Sequence, residues 1–515
     1  MQQISQSSQP DDQAYLHLQK KGIEINIEGQ RKCTVGYPLE SSTARNNPYE
    51  GIYTTWEWDG EKLKVNNDRY GIKPLFYLLH ENEIIISSSI VPILRSGIQL
   101  IPDYPGLSVF LRLGYFVGND TPFRDVKLLP PNSTLYWTNG KLSIESGNID
   151  GCFQNQSVKS YEEALEGYRY YFSAAIRKRS PENEEFILPL SGGRDSRHIL
   201  FELYHQGFRP ERCVTLQYRP PATNEDERIA RLICDRLHLN HDIVEHPKSW
   251  FDAVFADLSQ TNYCGGGHSW VLPLLEYYVN RGQNTLYDGL AGDVISTGHT
   301  LNRKKVELFL ERDYDNLAVE LLNEASYEAF NRIALKSDFY REISFDAAVE
   351  HLKAEIIKHE NCNNPALSYT FWNRTRRAVA SIPYSIFSSI QKVHCPFIDH
   401  DFFDFCTGIP NYITMGTDFH DDVIRTSYPC LADIPYENKS KKSIYDRNSR
   451  RYYRKSVIDF TNYVFRRGFG KSTLINETYL ARQVIKDLLT NSREQPWYLR
   501  RALYLYELEK QFTNV

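Results

Sequence analysis

No uninterrupted apolar stretch in this chain approaches the roughly 18 residues that a bilayer-spanning helix needs, which excludes a helical membrane protein. The first residues, Met1-Gln2-Gln3-Ile4-Ser5, offer neither a basic segment nor an apolar one behind it, so no secretory signal is expected. The nine cysteines include no C-x-x-C pair and are odd in number. They read as reduced, mostly buried thiols of a cytoplasmic protein, and the Asn-x-Ser/Thr matches at Asn132, Asn155 and Asn476 carry no weight there. A formal net charge of -5 argues against a general nucleic-acid binder. Internal repeats and low-complexity tracts are absent too. What remains is the make-up of an ordinary globular protein, 41% hydrophobic and 24% charged over 515 residues. That length predicts two or three domains.

Short strand-like runs dominate up to about residue 150: Gly51 to Trp58, Lys62 to Val65, Leu75 to Leu79 and Glu83 to Ser87, separated by Gly, Asn and Asp turns. A long helical pattern opens at Tyr161, which predicts a boundary near 155 and domains of 1–155 and 156–515. From Phe186 to His246, apolar runs alternate with amphipathic helices such as Glu225 to Leu237, the signature of a parallel sheet covered on both faces. Beyond Leu301 the pattern is mainly helical.

The most informative segment is Phe186 to Ser196. An apolar run stops at Ser191-Gly192-Gly193, and a helical pattern follows at once. Two glycines let backbone N–H groups approach an anion without a Cβ in the way, and the helix N-terminus adds partial positive charge. Ser191 and Ser196 add hydroxyls. Asp195 is an anion where phosphate is expected, which makes sense if a divalent cation bridges the two. The alternative is a glycine turn whose Asp and Ser cap the next helix. Gly468-Phe469-Gly470-Lys471-Ser472 is not a Walker loop, because Phe465 stands where the first glycine is required.

SGGxDS resembles the pyrophosphate-binding loop of the ATP pyrophosphatases, which cleave ATP between its α and β phosphates. With Asp68-Arg69-Tyr70-Gly71-Ile72-Lys73-Pro74-Leu75-Phe76-Tyr77, Leu286 to Asp293 and Val393 to Asp399, it forms an ordered set resembling the asparagine synthetase family. The organisation is nearest to its β-lactam synthetase and lasso-peptide cyclase branch. The resemblance implies an α/β protein: a degenerate Ntn-hydrolase-like, β-rich N-terminal domain, then a PP-loop ATP-pyrophosphatase domain with a parallel sheet and a helical C-terminal extension. The glutamine-dependent relatives use a mature N-terminal cysteine, whereas the first cysteine here is Cys33, and the segment before Gly51 looks too short for their early catalytic strands.

Carried over, the resemblance implies ATP and Mg²⁺ as cofactors. Asp195 and Asp293 would hold the metal, although Asp293 also reads as a turn residue. Ser191, Gly192, Gly193 and Ser196 would cradle pyrophosphate. Leu190, Leu216, Gly289 and Leu290 would lie along the nucleotide, mostly through backbone groups, or be ordinary strand ends. Leu290 and Lys392 fall where relatives carry glutamates, the first of them implicated in amidation. One of Lys439, Lys441 and Lys442 would reach the adenylate, unless these lysines form a solvated loop. The basic run Arg447 to Lys455 reads as a solvated helix face or a site for an acidic partner.

The expected activity is an AMP-forming amide ligase joining a small-molecule or peptide carboxylate to an amine without its own glutaminase. Asparagine synthesis proper, an RNA-modifying pyrophosphatase and a nucleotide-binding scaffold that has lost amidation are the competing readings. A homodimer stays open; a membrane partner is not expected.

Overall fold

Alternating apolar and polar side chains build the N-terminal part, up to Ser146, as two antiparallel sheets. The computed structural model describes residues 14–22, 24–40, 49–147, 158–181, 184–218, 224–297, 302–325, 327–414, 418–437, 447–490 and 497–513. Its first ten strands are β1 (Tyr15–Lys21), β2 (Glu24–Gly29), β3 (Lys32–Glu40), β4 (Tyr49–Trp58), β5 (Lys62–Asn67), β6 (Phe76–His80), β7 (Glu83–Ser87), β8 (Val126–Leu128), β9 (Ser133–Thr138) and β10 (Lys141–Ser146). One sheet runs β2-β1-β7-β6-β8 and the other β10-β9-β5-β4-β3. Leu16, Leu18, Ile84 and Ile86 of the first sheet share one core with Trp56, Leu63, Val65 and Trp137 of the second. Three strands, β1 to β3, lie ahead of Gly51.

The third sheet is parallel: β11 (Ile187–Pro189), β12 (Arg212–Leu216), β13 (His241–Val244), β14 (Thr285–Tyr287) and β15 (Lys392–His394). Its order, β13-β12-β11-β14-β15, means the chain builds outward from β11 on one side and then returns to the other. That reversal leaves a crevice beyond the carboxyl ends of β11 and β14, where ligands of open α/β sheets bind. Among the helices around it are α1 (Tyr161–Lys178), α2 (Asp195–His205), α3 (Glu225–Leu237), α4 (Leu272–Asn280), α5 (Gly292–Thr297) and α6 (Phe419–Ser427). A reciprocal cap starts α1: the Glu163 N–H donates to Ser160 Oγ at 3.1 Å, and the Lys159 N–H donates to the Glu163 carboxylate at 2.9 Å.

The segment Asp68 to Tyr77 joins the halves. The Asp68 carboxylate accepts the N–H groups of Tyr70, Ile72 and Lys73, and burial raises its pKa to about 6. That tight turn drives the Tyr70 ring against Phe371, Trp372 and Phe403 of the helical region. Among the described residues no helix is long and apolar enough to cross a membrane.

Candidate functional site

The loops after β11 and β14 meet at the sheet's crevice, and small residues let them meet closely. A Cβ on Gly289 would lie 2.7 Å from the Asp195 Cβ, and one on Gly292 would lie 2.5 Å from Asp195 Oδ1. Asp195 opens α2 and Asp293 lies in the first turn of α5. The Asp293 N–H hydrogen-bonds the Asp195 carboxylate. Asp195 Oδ1 is buried with no hydrogen-bond partner among the described residues, as is Nδ1 of His420, 3.7 Å away. Burial and the neighbouring Asp293 charge push the Asp195 carboxyl well above the ordinary range. Burial pulls His420 down to about 3, so this imidazole is neutral and offers no counter-charge. Asp288, also buried, is raised to about 6.

An orphaned carboxylate oxygen among further acids is an environment that a divalent cation would relieve. Among the described residues no group of three or more His, Cys, Asp or Glu side chains forms a metal-ligand set. A cation here would therefore draw on other oxygens, such as those of a phosphate.

The Ser191 loop is shaped from within. The Ser191 N–H donates to Ser196 Oγ at 3.0 Å, the Gly193 N–H to Ser191 Oγ at 3.2 Å, and the Gly192 N–H to Asp226 Oδ1 at 2.5 Å. All three amides of Ser191, Gly192 and Gly193 already have protein acceptors, and Gly192 serves the close approach of Asp226. A Cβ on Gly192 would come within 2.9 Å of Asp226 Oδ1. Asp226, at the start of α3, has its pKa raised by burial and by the Glu437 charge. The Glu437 N–H donates to Gly192 O at 3.3 Å. Arg194 forms a two-point pair with Asp421 and lies 4.8 Å from the Tyr436 ring centre.

The other expected residues fall in different places. Leu190, Leu216 and Leu290 are buried, so only their backbones could face a ligand. The Leu190 N–H already donates to Val214 O at 2.8 Å, and Leu190 O accepts from Thr215 Oγ1 at 2.6 Å. Lys392 is not brought to the cluster. It pairs with Thr285 at the far end of β14, its ammonium bonds Glu184, and it lies 5.3 Å from the Tyr37 ring centre. Lys439, Lys441 and Lys442 lie outside the described residues. Arg447 to Lys455 forms the start of a helix, Arg447–Arg467, with Arg451, Arg454 and Lys455 exposed. Asp226, His420 and Asp421 belong to no motif, and only the fold brings them to the loop; Asp288 lies within the Leu286 to Asp293 segment, but the sequence assigns it no role there.

A glutamine amidotransferase domain family matches residues 40–146. The chain is 21% identical over 452 residues to glutamine-hydrolyzing asparagine synthetase 2 of Bacillus subtilis, covering 79% of this chain and 57% of that protein. It is 24% identical over 224 residues to the amidase chry2 of Gibberella zeae, covering 40% of this chain and 33% of that one. The chain thus spans between a third and somewhat over half of these relatives. A solved glutamine phosphoribosylpyrophosphate amidotransferase from Bacillus subtilis, complexed with ADP and GMP, covers 38% of this chain and 48% of its own at 11% identity. Its TM-score of 0.15 is too low to carry an argument. The domain match and the asparagine synthetase matches, at low identity, support the asparagine synthetase family.

Proposed function

We propose that this chain is an asparagine-synthetase-like, AMP-forming amide ligase whose PP-loop site lies at the β11/β14 crevice. One observation carries the reading. Asp195 is packed between two glycines and Asp293 with a buried oxygen that lacks a partner, at the end of a serine- and glycine-rich loop. ATP would lie over Ser191 to Ser196, with Leu190, Leu216, Gly289 and Leu290 along the nucleotide.

A substrate carboxylate oxygen attacks the α-phosphorus, and the bond from that phosphorus to the bridging oxygen breaks, giving acyl-AMP and pyrophosphate. An amine nitrogen then attacks the acyl carbon, the bond to AMP breaks, and the nitrogen gives up its proton. Asp195 and Asp293 would hold Mg²⁺, which supplies neutralisation of the phosphate charge. The positive end of α2 and the Ser191 and Ser196 hydroxyls orient the leaving pyrophosphate. One of Lys439, Lys441 and Lys442 would reach the adenylate.

The reading includes no glutaminase step. Among the described residues of the two N-terminal sheets the one cysteine is Cys33, on β3, packed against the core between them. Ammonia, a small amine, or an amine within the same substrate would accept the acyl group. Leu290 favours a second reading, a nucleotide-binding scaffold without amidation, because it is buried in the core where relatives carry the amidation glutamate.

Exchange of labelled pyrophosphate into ATP separates the two. The ligase shows exchange that requires Mg²⁺ and is stimulated by one carboxylic acid, and both Asp195→Asn and Asp293→Asn lower it at least about 100-fold. ATP binding with no exchange across a panel of amino, sugar and peptide acids would leave only the scaffold.

A further inference from the structure

Beside the loop stands an exposed aromatic surface that none of the chemistry above uses. Tyr218 follows β12 at the carboxyl edge of the parallel sheet, with 43% of its surface exposed. Its phenol lies beside Asp226, the same carboxylate that accepts the Gly192 N–H, and burial and that neighbouring charge raise its pKa. Asp226 thus stands between the phenol and the loop. Trp270, just ahead of α4, lies 6.2 Å from it at an interplanar angle of 34°. Trp270 packs on the cluster that contains Ile187 of β11 and Leu216 and Val244 at the ends of β12 and β13. The two rings therefore form one tilted aromatic pair at the strand ends.

Exposing a large ring forgoes burial that would stabilise the fold, and a planar ligand would recover it. A polar loop at one end and a π-face at the other match a molecule with a charged tail and a flat aromatic head. We propose that Tyr218 and Trp270 form the base-stacking wall of the nucleotide site, with the base of ATP against the Tyr218 ring and Trp270 backing it. This rests on the ATP reading above and adds the residues that select a purine head. Stacking recognises the π-face and needs no hydrogen-bond pattern, so it is compatible with strand-end backbone groups that are already paired.

The test uses the full chain and three probes: ATP, AMP and inorganic tripolyphosphate, each with Mg²⁺. In the wild type, ATP and AMP quench tryptophan fluorescence and tripolyphosphate does not. Trp270→Phe abolishes most of the quench and, because it keeps a ring behind Tyr218, weakens ATP, read by calorimetry, less than Tyr218→Ala does. Tyr218→Ala weakens ATP and AMP about tenfold or more, the scale of one lost base stack, and leaves tripolyphosphate affinity unchanged. Tyr218→Phe, which keeps the ring and drops the hydroxyl, binds ATP nearer to wild type than Tyr218→Ala does. Equal loss of ATP and tripolyphosphate in Tyr218→Ala would mean that the ring only props the loop, and the proposal is then wrong. Unchanged ATP affinity in Tyr218→Ala, with acid-stimulated exchange intact, overturns the stacking wall and leaves the ligase standing. A wild-type chain that binds none of the three probes removes both.

Discussion

Gly289 and Gly292 show what a single missing Cβ can do. Neither takes a left-handed φ, so backbone freedom does not explain them. Space does, because an added methyl would overlap the Asp195 side chain at 2.7 and 2.5 Å. The neighbour between them, Ala291, bears the left-handed φ of 72° instead. Gly289→Ala is expected to push Asp195 and the start of α2 away from Asp293. A displacement of about 1 Å at a reacting site costs roughly 100-fold in rate, so pyrophosphate exchange should fall on that order. Overpacking should also cost about 1–3 kcal/mol of stability. Gly266→Ala, where nothing lies within 4 Å of the added carbon, serves as the control for thermal stability. At this scale the motifs picked out Asp195 and Asp293, and the fold brings the two together. The motifs did not reveal Asp226 or His420, whose roles come from neighbours 34 and 225 positions away (226 − 192 and 420 − 195).

Elements were legible where one period dominated. Helix Glu225–Leu237 has the bounds its amphipathic pattern predicts, and β4 to β7 fall within two residues or so of the expected runs. Strands β1 to β3 were not anticipated. None of the side chains of β2 is fully buried, so its alternation carries little hydrophobic contrast. The stretch Thr370–Val379 forms wide π-helical turns, a departure that a 3.6-residue pattern does not announce. The Asp68 turn makes a prediction at this level. Its folded-state pKa of about 6 lies above the ordinary 3.8, so the native state holds the proton more tightly than the unfolded chain does. Stability from this group is therefore fully present below about pH 4 and is lost as pH rises through about 6, a change of about 3 kcal/mol. Asp68→Asn cannot titrate. The stability of wild type relative to this variant should fall by about that amount between pH 4 and 7 in urea unfolding; a pH-independent difference would show that Asp68 stays ionised throughout.

At the scale of the whole molecule, buried groups cross between the N-terminal sheets and the helical region. Tyr70 is fully buried among aromatic rings of the helical region, and Arg69 forms a two-point pair with Asp404. Arg376 reaches back the other way. Its guanidinium donates to Gly71 O and Gly118 O at 3.1 Å, and to Leu129 O and Asn119 Oδ1 at 3.2 Å. Burial lowers its pKa to about 9, still high enough to keep the charge at neutral pH. Truncating Tyr70 to Ala removes a packed ring and should cost about 3–5 kcal/mol. Arg376→Met leaves several carbonyls without their donor and should cost about 3–5 kcal/mol as well. The sites of both changes are remote from the Asp195 cluster in sequence and belong to the contact between halves, so cooperativity is the property at risk. Calorimetry of the wild type should give one unfolding transition, and each variant should broaden or split it, with the sheets and the helical region melting at different temperatures. A single transition shifted by less than a degree in both variants would mean that the two halves are coupled elsewhere.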